Sequence, residues 1–282
     1  MSRVRELFTF PIDCNDVKWN DVIREQHCRY SGKRCFKVRK SPPNESIGTC
    51  SVQYGKDGKN VIICPHRLLE RKQIFADCVC LLNLHQSGNE LHLVPEVPIP
   101  GGNVDYILVL TDANRKVKDF VGIELQSLDT SSGAVWPERE LALQELGLIE
   151  NVDVSGKSFS INWKMTAKTI LLQLHHKIKT FEEIKKHLVL VVQDCFLDYM
   201  EKKFAFGCVN KESSIDDSLH FHSYKLMKID NGYKLRLDKC YSTDSEGVSK
   251  LLDMNANANI GLEVFAKKIE EKISDATIFT NA

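Results

Sequence analysis

No apolar run in this 282-residue chain approaches the roughly 20 residues needed to cross a bilayer. The longest uninterrupted aliphatic stretch is Leu188 to Val192. The opening MSRVRELFTF lacks the apolar block of a secretory signal. There is no internal repeat, no low-complexity tract and no proline beyond Pro137. There is also no net charge, since 38 basic residues meet 38 acidic ones, which by itself argues mildly against a nucleic-acid partner. These absences argue against membrane-spanning, secreted, fibrous and disordered classes. They lead us to expect a soluble, cytoplasmic protein, whose ten cysteines serve as thiols or metal ligands rather than disulfides.

What the chain does contain is an ordinary globular mixture, 43% apolar and 27% charged. Its length suits one large domain or two modest ones and can bury roughly three-quarters of the unfolded surface. Charge and cysteine are unevenly spread. From Arg29 to Lys72 eleven basic residues face three acids, and from Lys164 to Lys186 six lysines face two glutamates. Patches of that size either hold a polyanion or form solvated faces. Seven cysteines lie before residue 81 and all eight prolines before residue 138. An irregular Cys-rich head over 1–88 and a regular α/β (α+β) part over 89–282 follow, divided near the Pro- and Gly-punctuated stretch 88–100.

In the second part, 104–110 (VDYILVL) and 119–126 (DFVGIELQ) read as strands around a polar turn. Helical spacing runs from Lys164 to Ile178, with Met165, Leu172 and Leu174 as candidate core positions, and Thr180 with Glu183 resembles a capping box opening a further helix or turn. Leu188 to Val192 reads as a buried strand and 196–204 as helical. The stretch 224–237 reads as a hairpin turning at Asn231-Gly232. Leu262, Phe265, Ile269 and Ile273 mark a closing amphipathic helix.

The sharpest local pattern is Asp105 followed by Glu124-Leu125-Gln126. Alternate residues of a strand share a face, so Glu124 and Gln126 point the same way. If Leu110 pairs with Asp119, the same register sets Asp105 opposite Glu124. Two facing carboxylates repel and weaken a sheet; a divalent cation such as Mg²⁺ reverses that sign, because it prefers oxygen ligands. The competing reading is an edge hairpin whose acids merely align. Gly101-Gly102 would let a ligand or backbone approach closely. Glu96 is either a third carboxylate or a plain surface residue.

In the head, Cys28, Cys35, Cys50 and Cys64 offer four thiolates, a set suited to Zn²⁺ or to a thiolate-bound iron. His66 and His27 are alternative ligands, and Cys14, Cys78 and Cys80 are also at hand. The alternative is that these are small buried side chains. Cys195, Cys208 and Cys240 read as ordinary thiols, and no spacing singles out a Cys-His nucleophile.

The blocks IGTC (47–50), IICPHRLLE (62–70), VPIPGGNVDYILVL (97–110), VKDFVGIELQSLDT (117–130) and INWKMTAKTILLQLHHK (161–177) together resemble the NotI-type type II restriction endonucleases. The resemblance spans roughly residues 10 to 200. It implies a PD-(D/E)xK nuclease core, a mixed sheet flanked by helices, and a four-cysteine metal module near the DNA. It also implies a homodimer that cuts palindromic double-stranded DNA with Mg²⁺, with a GC-rich site expected. Asp105 and Glu124 match the acidic motif positions that hold Mg²⁺, whereas Gln126 stands where most such nucleases carry lysine. Gln126 would then orient a water through its amide, or a lysine from elsewhere, Lys164 or Lys168, would complete the site.

Two other functions use the same features. One is a metal-stabilised DNA-binding protein without catalysis, and the other a repair or recombination nuclease that reads DNA structure instead of sequence.

Overall fold

The computed structural model describes residues 1–252 except 39–43, 85, 132, 151–158 and 231, together with 263, 267 and 269–272. Of the expected closing helix, Leu262, Phe265 and Ile273 lie outside the described residues, and Ile269 is exposed.

The head forms a small antiparallel sheet of order β2-β1-β5-β6. Its strands are β1 (Val4–Leu7), β2 (Phe10–Pro11), β5 (Thr49–Tyr54) and β6 (Lys59–Ile62). Between β2 and β5 lie helix α1 (Trp19–Glu25) and a short hairpin of β3 (His27–Cys28) and β4 (Lys33–Arg34). A 3-10 segment, Pro65–Lys72, and the short helix α2 (Gln73–Asp77) lead out of it.

The second unit of structure is a six-stranded mixed sheet of order β12-β11-β10-β9-β8-β7. Its strands are β7 (Glu90–Ile99), β8 (Gly102–Thr111), β9 (Val117–Gln126), β10 (His187–Gln193), β11 (Leu219–Ile229) and β12 (Gly232–Thr243). The pairs β9–β10 and β10–β11 are parallel and the others antiparallel. Helices α3 (Val135–Glu145), α4 (Trp163–Glu183), α5 (Asp194–Lys203) and α6 (Ser245–Leu251) complete an α+β fold with a mixed sheet flanked by helices. Among the described residues no helix is long and apolar enough to cross a membrane.

β10 shows why its sequence is apolar without a break. Leu188, Leu190 and Val192 pack on the α4 side, while Val189 and Val191 pack on the other, against Leu68, Ile74 and Phe75 of the head. A strand covered on both faces has no polar alternation to display. That second face also means that the head and the sheet share one core, in which Ile62 and Leu68 pack with Leu110 and Val121. Within the punctuated stretch 88–100, Glu90–Ile99 forms the edge strand β7. Pro95 and Pro98 are accommodated because β7 is outermost, where a missing N–H costs the ladder nothing.

α4 corrects two expectations. Its buried stripe runs Ala167, Ile170, Leu171, Leu174, Ile178 and Phe181, at the spacing of one helix face. Met165 and Leu172 fall roughly opposite that stripe and are 63% and 46% exposed, and only Leu174 of the three expected core positions is buried. The helix does not stop for Thr180, because Phe181 anchors its last turn against β9 at Gly122. A Cβ on Gly122 would stand 2.4 Å from the Phe181 ring. The Thr180 hydroxyl donates instead to the Pro100 carbonyl at 3.2 Å. The 224–237 hairpin forms, but its ladder closes at Ile229 and Gly232, one position earlier than an Asn-Gly turn would set it.

Candidate active site

The turn between β8 and β9 is tied by Asp112, whose carboxylate accepts the N–H groups of Asn114 and Lys116, each at 3.0 Å. That turn fixes the register. Leu110 pairs with Asp119 and the ladder runs to Tyr106–Ile123; continuing that register sets Asp105 against Glu124 just beyond its last pair. At this end the Asp105 carboxylate itself takes up the Leu125 N–H at 2.8 Å. Both acids lie on the sheet face that α4 covers.

Glu96 joins them. On β7 the pairs Pro95–Tyr106 and Val97–Val104 bracket Glu96 opposite Asp105, and its backbone is kinked to φ 53°. The backbone register thus sets Glu96, an exposed residue, beside Asp105 on the neighbouring strand. The electrostatics reflect this crowding. Burial pushes the Asp105 carboxyl up, against the Leu125 hydrogen bond, and the negative charge of Glu96 adds to the rise. Burial likewise pushes Glu124 up to about 7, against the pull of Lys177, with Asp105 raising it further. Gln126, half-buried, donates through its amide to the Ser127 carbonyl at 2.5 Å.

Lys177 is the residue that sequence reasoning passed over. It extends from α4 so that Nζ lies 2.6 Å from Glu124 Oε1 and 2.5 Å from the Asn103 carbonyl oxygen, and it is 6% exposed. The lysines considered instead, Lys164 and Lys168, are on the exposed side of α4 and do not enter the site. One signal was available: Lys177 falls in the buried stripe, three residues after Leu174 and four before Phe181, where a lysine needs a partner. The close approach that Gly101-Gly102 allows is by backbone. Gly101 has φ 94°, and a Cβ there would meet the His176 carbonyl oxygen at 2.4 Å.

The four cysteines converge as well. Cys28 sits on β3, Cys35 just after β4, Cys50 on β5 and Cys64 at the head of the 3-10 segment, yet all four line one small cavity with His66. All are free thiols and buried. Burial raises Cys50 strongly and takes Cys64 to about 11. Cys28 is also buried, but hydrogen bonding to His66 and Ser31 outweighs burial and brings it down to about 7. His27 is exposed and does not line the cavity; Cys14 is only half-buried.

Cys78 and Cys80 lie elsewhere, Cys78 with its sulfur 3.8 Å from His222 Nδ1. That pair is no activated nucleophile. Burial pushes the Cys78 thiol well up and takes His222 down to about 4, so both are neutral near pH 7. Cys195 is likewise pushed up by burial, to about 12.

As they stand, no three or more His, Cys, Asp or Glu side chains among the described residues are grouped so as to hold a metal ion. What each set suits follows from its donors. The thiols and imidazole around the head cavity form a soft set for zinc or iron. The oxygens of Asp105, Glu124 and Glu96 form a hard set, short of positive charge, that suits Mg²⁺. The basic segment is partly structural, because Arg67 is fully buried in an ion pair with Glu6, while Arg39 and Lys40 lie outside the described residues.

No model of a known protein family matches this chain, and no curated protein matches it in sequence.

Proposed function

We propose that the chain is a Mg²⁺-dependent nuclease of the PD-(D/E)xK type acting on double-stranded DNA, and more narrowly a type II restriction endonuclease working as a homodimer at a GC-rich palindrome. The observation that carries the reading is that Asp105 and Glu124 stand just past the last β8–β9 pair, Tyr106–Ile123, at the open end of the hairpin, with Glu124 buried and Asp105 half-buried. Crowded acids destabilise a sheet unless a cation joins them, so their alignment favours a functional role over a decorative one. The narrower reading adds the likeness of the sequence blocks to the NotI-type enzymes.

Asp105 and Glu124 would hold Mg²⁺, with Glu96 beside them. The metal, when bound, supplies Lewis-acid stabilisation of a phosphodiester and lowers the pKa of water. Gln126 would orient the attacking water through its amide, and Lys or Arg side chains of the head would neutralise backbone phosphates and read bases from a groove. The Cys28, Cys35, Cys50 and Cys64 cavity would take a structural Zn²⁺ or iron that holds the basic head in shape. A DNA-binding module without catalysis is the second reading, favoured by one observation, that Glu124 already has a cationic partner in Lys177.

The test is digestion of a long, unmethylated, GC-rich duplex by the purified protein, with and without Mg²⁺, alongside Glu124→Ala. Discrete Mg²⁺-dependent fragments, lost in Glu124→Ala while DNA binding persists, are expected. A smear or branch-dependent cutting would move the assignment to a structure-specific nuclease. Binding with no product under any divalent ion would leave the non-catalytic reading, and retained cutting by Glu124→Ala removes Glu124 from the site.

A further inference from the structure

We infer that Lys177 of α4 is a positioning residue of the carboxylate site, supplying from the helix the positive charge that Gln126 does not bring on β9. The inference rests on the nuclease reading above and deepens it.

Three observations converge. Lys177 Nζ contacts Glu124 Oε1 at 2.6 Å, and its second contact is a backbone carbonyl, that of Asn103, two residues before Asp105. The ammonium therefore sits at the buried Glu124 of the carboxylate site and not on a surface partner. Second, the residue is buried in a stripe that is otherwise apolar except for Thr166. A packing position there is filled at lower cost by leucine, since burying a charge is unfavourable unless it is paired and hydrogen-bonded. Third, the backbone opposite is shaped to admit it. Gly101 leaves room for the His176 carbonyl, and a Cβ on Gly102 would stand 3.3 Å from Lys177 Cε.

The consequence is chemical. By engaging Oε1, Lys177 fixes the orientation of the Glu124 carboxylate and leaves Oε2 for a cation. Its charge also favours the negative charge that builds up on a phosphodiester during cleavage. Because the ammonium and a divalent cation neutralise the same acids, they repel one another. Removing the amine therefore strengthens cation binding while slowing the reaction, two effects that a packing role does not produce together.

The experiment compares wild type with Lys177→Met at pH 8 in two assays, DNA cleavage and calorimetric titration of Mn²⁺ without DNA. The variant is expected to lose about 100-fold or more in kcat with KM for the duplex changed less than about threefold, which is loss of an interaction specific to the transition state. It is expected to bind Mn²⁺ about tenfold or more tightly. The double variant Lys177→Met, Gln126→Lys returns an amine to the site from β9 and is expected to recover at least about a tenth of wild-type kcat.

Unchanged kcat in Lys177→Met, unchanged or weaker Mn²⁺ binding, or failure of the folded double variant to recover overturns the inference. If circular dichroism shows Lys177→Met unfolded, Lys177→Gln, which keeps a donor to Asn103, is read by the same criteria. A wild type that cuts nothing would refute the nuclease reading, while the Mn²⁺ titration still decides whether Lys177 shares its charge with a cation site.

Discussion

Arg67 Nε lies 2.9 Å from both carboxylate oxygens of Glu6, and neither side chain is more than 2% exposed. The same guanidinium donates to Glu70 at 3.1 Å and to the Tyr233 carbonyl at 3.0 Å, and Glu70 accepts the Leu235 N–H at 2.7 Å. The pair thus joins β1 of the head to β12 of the large sheet through one buried charge network. Removing one partner strands the other as a buried charge. Arg67→Met is expected to lower unfolding free energy by about 3–5 kcal/mol, measured by urea denaturation. Unchanged stability would mean that the head is not held through this network.

Gly101 is where the backbone before β8 comes closest to α4. Gly101→Ala adds a Cβ against the His176 carbonyl, at a φ of 94° that L residues avoid. We expect a loss of about 2–4 kcal/mol in stability and, under the proposed nuclease function, a larger fall in Mg²⁺-dependent cleavage than in DNA binding, because α4 must move and carry Lys177 with it. Wild-type melting and cleavage in this variant would show that the close approach is dispensable.

His220 and His222 are held neutral inside the sheet. Burial brings both down to about 4, with His187 beside His220 adding to its fall. His220 Nε2 stands 3.2 Å from His187 Nδ1, and the remaining nitrogen of His220 meets Ser213 at 2.9 Å. The sign follows from linkage. Between the unfolded value near 6.5 and the folded value near 4, the unfolded chain binds the proton and the native one does not. Stability is therefore complete above about pH 6.5 and declines as pH falls toward 4, by at most roughly 3 kcal/mol per histidine. Chemical denaturation across pH 7.5 to 4 measures it, and His222→Phe should flatten the decline. An equal decline in the variant would remove His222 as its source and leave His220 or carboxylates.

The head cavity leads to a prediction about metal content. Elemental analysis of the purified protein is expected to find one zinc or iron per chain, and Cys50→Ser to lose it and melt about 5 °C or more lower. Metal-free protein with wild-type melting would leave the four cysteines as packing groups.

The sequence by itself determined the β8–β9 pair and the meeting of Asp105 with Glu124. Those features are local: a polar turn, alternating faces and a register that the Leu110–Asp119 pairing sets as far as Tyr106–Ile123. It also determined the buried strand at 188–192 and the existence of α4, because long periodic or apolar runs leave few alternatives. Which face of α4 is buried was misread at Met165 and Leu172, since one face must be chosen against a partner that the helix sequence does not contain.

Only the tertiary structure decided which lysine enters the site, that Glu96 lies beside Asp105, and that cysteines from four segments share one cavity. Lys177 and Glu124 are 53 residues apart. Their contact depends on how the helix crosses the sheet and on the space that Gly101 leaves for it. Side-chain identity sets what a residue can do; packing between distant segments sets which residue is there to do it.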